Sequence, residues 1–230
     1  MEVKSETSVL FIGKADDPFS AVAADFISRK FKDPLIIFSR RSDPFPAHLY
    51  NWQGELIISY LAQWIIPKEL LANAKKAAIN FHPGPPEYPG IGCTNFALYN
   101  NEVEFGVTCH HMQAKVDTGA IIAVKRFPIF PEDTVFALTQ RCYEHILHLF
   151  YEVIDFFMER SLFPASGEKW QRNPFTRKQL NELCTLTPDM TAEEIKKRLK
   201  ATTFGDKIWA EVKIGPEKIS YEAAIEKGIL

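Results

Sequence analysis

Residues 77–92 read AAINFHPGPPEYPGIG. Ala77–His82 is a short apolar run that carries two polar residues, Asn80 and His82, two apart at its end. The run predicts a strand, and a period of two places both polar side chains on one face. The next eight residues, Pro83–Gly90, hold four prolines and two glycines. The chain therefore leaves the strand through a stiff, tightly shaped loop. In an open α/β sheet ligands bind at the carboxyl ends of strands. A polar strand end that merely meets solvent would read the same way, and composition alone leaves both readings open.

The flanking sequence supplies the rest of such a sheet. Val9–Gly13, Pro34–Ser39 and Glu55–Leu61 read as buried strands upstream. Asp17-Pro18 opens a helical pattern through Phe31, and Pro67 starts a short helix, PKELLANAKK. Phe105–Met112 and Ala120–Ile129 read as two further strands. Apolar runs without clean alternation, separated by helices, predict an α/β fold: a Rossmann-like, mostly parallel sheet with helices on both faces. Residues 133–160 carry an amphipathic stripe of Val135, Leu138, Cys142, Ile146, Leu149 and Val153, with Asp133 as expected N-cap. Beyond Pro164 the texture turns polar, aromatic and turn-rich. Thr191–Glu194 reads as a capping box opening a helix, and Ile208–Gly215 alternates like an edge strand or hairpin arm. The expected division is a main domain, 1–163, and a short C-terminal α+β extension, 164–230, packed on it.

The 230 residues suit one large domain with a modest extension. Lys plus Arg total 27 and Asp plus Glu 29, for a net charge of −2. That balance excludes a general polyanion binder and predicts no nucleic-acid partner. Cys93, Cys109, Cys142 and Cys184 lie far apart without a CxxC spacing, as expected of buried, reduced thiols. MEVKSETS shows no signal-peptide pattern, and the apolar stretch Leu56–Ile66 is too short to span a membrane. The expectation is a cytoplasmic protein without membrane contact. The first strand is followed by Gly13-Lys14-Ala15-Asp16-Asp17, with neither a GxGxxG nor a GxxxxGK[ST] pattern, which speaks against an ordinary NAD or ATP site. No metal is expected. His110 and His111 are adjacent on a strand and point to opposite faces, while His145 and His148 on the long helix lack a partner motif.

A second segment, Gly106–Ile122, reads as strand, loop ending in Asp117-Thr118-Gly119, and strand. An aspartate held in such a turn can orient an imidazole. Asn80, His82 and Asp117 from neighbouring loops would supply an oxyanion donor, a proton shuttle and an orienting carboxylate. No serine or cysteine nucleophile is paired with them.

At these residues the sequence resembles the folate-dependent formyltransferase family. The matches are Asn80, His82, Pro83 and Gly90, then Gly106, Val107, Thr108, His110, Asp117 and Gly119, and the resemblance covers roughly residues 8–160. It implies that 1–163 is the catalytic domain, with N10-formyltetrahydrofolate as co-substrate and a primary amine as acceptor. It also implies a catalytic role for Asn80, His82 and Asp117. The pterin is then expected against the loop after the third strand, with Leu61, Gln63, Trp64 and Ile65, and the loop before the aspartate, with Gln113 and Val116. Core packing is the other reading of Trp64.

Which amine is accepted follows from the resemblance to branches of the family. The stretch FHPGPPEYPGIGCTNFALYN looks like the N-formyltransferases that act on nucleotide-linked amino sugars for surface polysaccharide. The short tail and net charge argue against a methionyl-tRNA enzyme. Gly84-Pro85-Pro86-Glu87 departs from the usual glycinamide ribonucleotide pattern. A dTDP-linked 4-amino-4,6-dideoxyhexose is the first expected acceptor and GDP-perosamine the next. A binding protein without activity is a further alternative. Tyr88, Gly90, Thr94 and Asn95 are the residues expected near the sugar. Arg172, Arg177 and Lys178 are candidates for the diphosphate, and Trp209 or Tyr221 for the base; a solvated basic face and ordinary packing are the plain alternatives. The alternating segment 208–214 hints at edge pairing in a homodimer.

Overall fold

The computed structural model describes residues 4–229; Met1–Val3, the start of the segment read for a signal peptide, lie outside the described residues. The elements in order are β1 (Val9–Lys14), α1 (Pro18–Lys30), β2 (Leu35–Ser39), β3 (Gly54–Tyr60), α2 (Lys68–Leu71), β4 (Ala74–His82), α3 (Cys93–Tyr99), β5 (Glu104–His111), β6 (Ile121–Pro128) and α4 (Val135–Arg160). There follow α5 (Arg177–Leu183), β7 (Thr185–Leu186), α6 (Ala192–Thr202), β8 (Thr203–Phe204), β9 (Lys207–Ile208), β10 (Glu211–Ile214), β11 (Glu217–Ser220) and α7 (Tyr221–Glu226).

Six strands form the central sheet in the order β2-β1-β3-β4-β5-β6. The first four are mutually parallel, and β5 and β6 complete the sheet antiparallel. The mixed α/β sheet with helices is the predicted fold class. Alternation within β1 shows why both faces are buried: Val9 and Phe11 pack into the larger core with α1 and α4, whereas Leu10 and Ile12 pack with Leu49, Ile57 and Leu70 on the opposite face. Chain order reverses direction across β1, which lies between β2 and β3. This is a topological switch point, so the carboxyl ends of β1 and β3 open a crevice.

Several local expectations are corrected. β2 is the edge of the sheet, with Leu35 and Phe38 exposed, and is not a fully buried strand. The helix after Pro67 lasts only four residues, because β4 begins at Ala74 and pairs with Gly54. α4 is capped by Thr134, whose side chain accepts from the Ala137 N–H. Asp133 instead accepts from the Phe130 N–H and holds Arg141 at 2.6 Å. Thr191 caps α6 by accepting from the Glu194 N–H, while Glu194 turns to Tyr99 and Arg198. Segment 208–214 is divided between β9 and β10; β10 pairs with β11 along its length and with β7 at Glu211 and Val212.

Several contacts tie the last third of the chain to the sheet domain. The Asn95 amide of α3 donates to the Ala201 carbonyl of α6 at 2.7 Å. Residues 163–175 run from the end of α4 back across the Pro/Gly loop, where Gly90 and Phe175 form a β-bridge. Among the described residues, no helix is long and apolar enough to cross a membrane.

Candidate active site

The strand register gathers the polar residues. β4 and β5 pair antiparallel with Asn80 opposite His110 and His82 opposite Thr108. A register shift at Cys109/His110 locally breaks the pairing of β5 with β6, as bulges beside sites do. Thr108 Oγ donates to the Gly84 carbonyl at 2.8 Å and so fixes the start of the stiff loop. That loop returns Gly90 to the sheet end, where its N–H donates to Asp117 Oδ2 at 2.8 Å. Asp117 itself adopts φ +48°, in the left-handed region that aspartate tolerates better than most residues.

Asp117 is the hub. It is 4% exposed, with Oδ2 3.3 Å from His82 Nδ1 and Oδ1 3.2 Å from His110 Nε2. Burial pushes its carboxyl up, but the His82 charge, the His110 bond and the Gly90 N–H together outweigh burial and hold its pKa at about 2. It is therefore an ionised, orienting carboxylate at neutral pH. His82 Nε2 lies 3.0 Å from the Tyr88 carbonyl and donates to it, so the contact of Nδ1 with the ionised Asp117 is an ion pair when Nδ1 is protonated as well. His110 Nδ1 donates to the His111 carbonyl at 2.8 Å. Its Nε2 lies 3.2 Å from Asn80 Nδ2 as well as from Asp117. A neutral His110 ring accepts from Asn80; a protonated one donates to Asp117.

This cluster forms the floor of a cleft of about 520 Å³ at the carboxyl ends of β1, β3 and β4, a size suited to a small-molecule ligand. An apolar slot in it is lined by Leu61, Trp64, Ile65, Ile66, Leu71, Met112 and Val116, with Gln63 and Gln113. Leu61 turns the chain there at φ +53°. Gln63 Oε1 accepts from the Arg41 N–H, and Trp64 Nε1 donates to the Asp43 carbonyl, so the slot walls are held in place. The lining also includes Lys14, Tyr143, Arg177, Leu180 and Trp209. Burial opposes the Lys14 charge, but Tyr143 at 3.2 Å and Asp17 at 3.3 Å prevail and raise its pKa, so it remains a cation.

All three residues expected to be catalytic therefore meet in the cleft, and all six expected near the pterin line it. Of the residues expected near the sugar, Gly90 and Asn95 line the cleft, though the Asn95 amide is committed to Ala201. Tyr88 and Thr94 do not line it. The Tyr88 ring packs on Phe105 and Phe175 and its hydroxyl bonds Glu102 and Asn100, while Thr94 faces Thr139 inside the core. In the tail, Arg177 and Trp209 reach the cleft. Arg172 lies over the Phe175 ring, Lys178 pairs with Glu182, and Tyr221 packs in the small core of the extension. Cys93 lines the cleft, but its thiol donates to the Pro83 carbonyl and burial pushes its pKa up to about 12, which leaves it un-ionised. Sequence reading missed Lys14 as a site residue, assigned no role to His110, and missed Trp170, whose ring lies 5.1 Å from His110 and 5.9 Å from His82. The position of Lys14 at the end of β1 was the available signal.

Comparison with known proteins gives the arrangement a family. A family profile described as formyl transferase matches residues 32–154. GDP-perosamine N-formyltransferase of Brucella melitensis biotype 1 is 36% identical over 92 residues, 40% of this chain and 36% of that protein. Methionyl-tRNA formyltransferase of Dictyoglomus turgidum is 28% identical over 155 residues, 66% of this chain and 45% of that protein. The matches thus span less than half the length of these curated relatives. Among solved structures, a sugar N-formyltransferase from Shewanella sp. superposes with a TM-score of 0.74 at 22% identity, covering 94% of this chain and 96% of that one. An N-formyltransferase from Helicobacter canadensis, in complex with folinic acid and dTDP-3-aminofucose, gives a TM-score of 0.70 at 20% identity, covering 92% and 85%. The profile match over more than half the chain, on the residues that build this cleft, places the chain in the formyl transferase family.

Proposed function

We propose that the chain transfers the formyl group of N10-formyltetrahydrofolate to the primary amine of a nucleotide-linked amino sugar. The observation that carries this reading is a cleft with both apolar and cationic lining around one buried Asn80–His110–Asp117–His82 cluster. The apolar slot with its two glutamines suits a flat, polar-edged pterin. The same cleft offers Lys14, Arg177 and the half-exposed Trp209 to a diphosphate and a base. The bound donor supplies an activated formyl carbon, and the chain's own residues do the rest. As the amine attacks, the Asn80 amide donates to the oxygen on which charge grows. Asp117 stays ionised, and its low pKa makes it a poor base, so the imidazoles it orients help relay the amine proton to the leaving N10 as its bond to the formyl carbon breaks and tetrahydrofolate departs. Residues 1–163 are the proposed catalytic unit, and 164–230 the extension that helps select the acceptor.

The proposed acceptor is a dTDP-linked 4-amino-4,6-dideoxyhexose, destined for surface polysaccharide. GDP-perosamine is the second reading, favoured by the identity with the Brucella protein. The test is formyl transfer from N10-formyltetrahydrofolate to a panel of dTDP- and GDP-linked amino sugars, glycinamide ribonucleotide and methionyl-tRNA. Turnover confined to the sugar nucleotides is expected. Turnover only with glycinamide ribonucleotide or methionyl-tRNA would overturn the acceptor assignment, and none with any would favour a binding protein.

A further inference from the structure

We propose that Trp170 is a positioning residue for the imidazole pair, brought to the site by a strap, residues 163–175, that holds the two catalytic loops together. The inference rests on the formyl-transfer reading. Trp170 is half-buried and is not among the side chains that line the cleft. Its ring meets both His82 and His110 edge-to-face, with interplanar angles of 73° and 84°. It thus packs against the charged cluster without itself lining the cleft. Its Nε1 donates to the Gly119 carbonyl at 2.8 Å, two residues beyond Asp117.

The backbone of the strap extends the same logic to the other loop. The Gln171 N–H donates to the Pro86 carbonyl at 3.0 Å and the Phe175 N–H to the Pro89 carbonyl at 2.8 Å. One short segment is therefore bonded to the loop that presents Gly90 and to the turn that presents Asp117. A single indole sets the rotamers of both imidazoles and excludes water from behind an ion pair that lies within 3.3 Å. Dry, fixed dipoles are worth more to a transition state than solvated ones. The titratable groups facing the two rings are Asp117 and, beside His110, His111; Cys93, near Asp117, is un-ionised.

The experiment compares wild type, Trp170→Phe and Trp170→Ala in the full chain. Steady-state formyl transfer and the pH titration of the His82 and His110 ring resonances by NMR are both measured. For Trp170→Ala, kcat should fall about tenfold or more with both KM values within about threefold, because the loss is one of alignment and not of substrate contact. The titration midpoints of both imidazoles should move as water enters. Trp170→Phe, which keeps the ring, should retain most of the activity and near-native midpoints. A kcat of the alanine variant within twofold of wild type, or a fall in kcat with unmoved midpoints, overturns the proposal; the latter marks a merely structural residue. If the alanine variant does not fold, Trp170→Leu gives the same comparison. If the wild-type protein formylates no acceptor, the formyl-transfer reading fails, and the titration alone then decides whether Trp170 controls the pair.

Discussion

Asp117 concentrates the chemistry of the site in one side chain. Its pKa lies at about 2 against an ordinary 3.8. Its stabilising contribution is therefore complete above about pH 4 and disappears as pH falls toward 2, amounting to about 2 kcal/mol. Denaturant unfolding across that range should show the loss in wild type and not in Asp117→Asn, and equal profiles would contradict the assigned environment. At neutral pH, Asp117→Asn should lower kcat by about a hundredfold or more, since it removes the orienting charge from both rings. Asn80, His82 and Asp117 were legible in the sequence because each sits at a fixed strand end or turn, where local geometry decides side-chain direction. Tyr88 was not. An aromatic in a Pro/Gly loop reads as a ligand platform, but its ring found Phe105 and Phe175 and its hydroxyl found Glu102. Trp170 reaches the histidines through tertiary contacts alone, which no spacing encodes.

The elements that hold the site depend on close backbone approaches. Gly90 has φ +90°, and a Cβ there would collide with the Phe175 carbonyl, which itself accepts from the Ile91 N–H. Gly90→Ala should therefore destabilise the protein by about 2 kcal/mol or more and lower activity with it. A thermal melt superimposable on wild type would mean that the loop does not need the strap. Asn95→Ala should cost about 1–3 kcal/mol, because it leaves the buried Ala201 carbonyl of α6 without its donor. The long elements were legible: β1, β3 and the 26-residue α4 have runs or stripes long enough to declare a period. The seven-residue α3 and α5 were not. α3 follows directly on Gly92 in the left-handed conformation without a side-chain cap, so it lacks both the length and the start signal that mark a helix. β2 read as fully buried because apolar residues at a sheet edge look like those of a central strand.

Across the whole molecule, the sheet's switch point places apolar and cationic side chains in one cleft around one charged cluster. Each kind of lining should then govern its own substrate. Lys14→Met should raise the KM for the acceptor about tenfold, with the donor KM unchanged, by removing a charge-assisted contact. An equal rise for both substrates would show that Lys14 does not serve the acceptor alone. Net charge −2 fits this arrangement, since a few local cations in a cleft suffice for a small dianion where a polynucleotide would need a basic surface. The most direct test of the whole account is formyl transfer by purified wild-type chain and its Asn80→Ala, His82→Ala and Asp117→Ala variants, with N10-formyltetrahydrofolate and dTDP- or GDP-linked 4-amino sugars, scoring N-formylated product by mass. The account predicts product with wild type and a loss of about a hundredfold or more in each variant; full activity in the variants would contradict it.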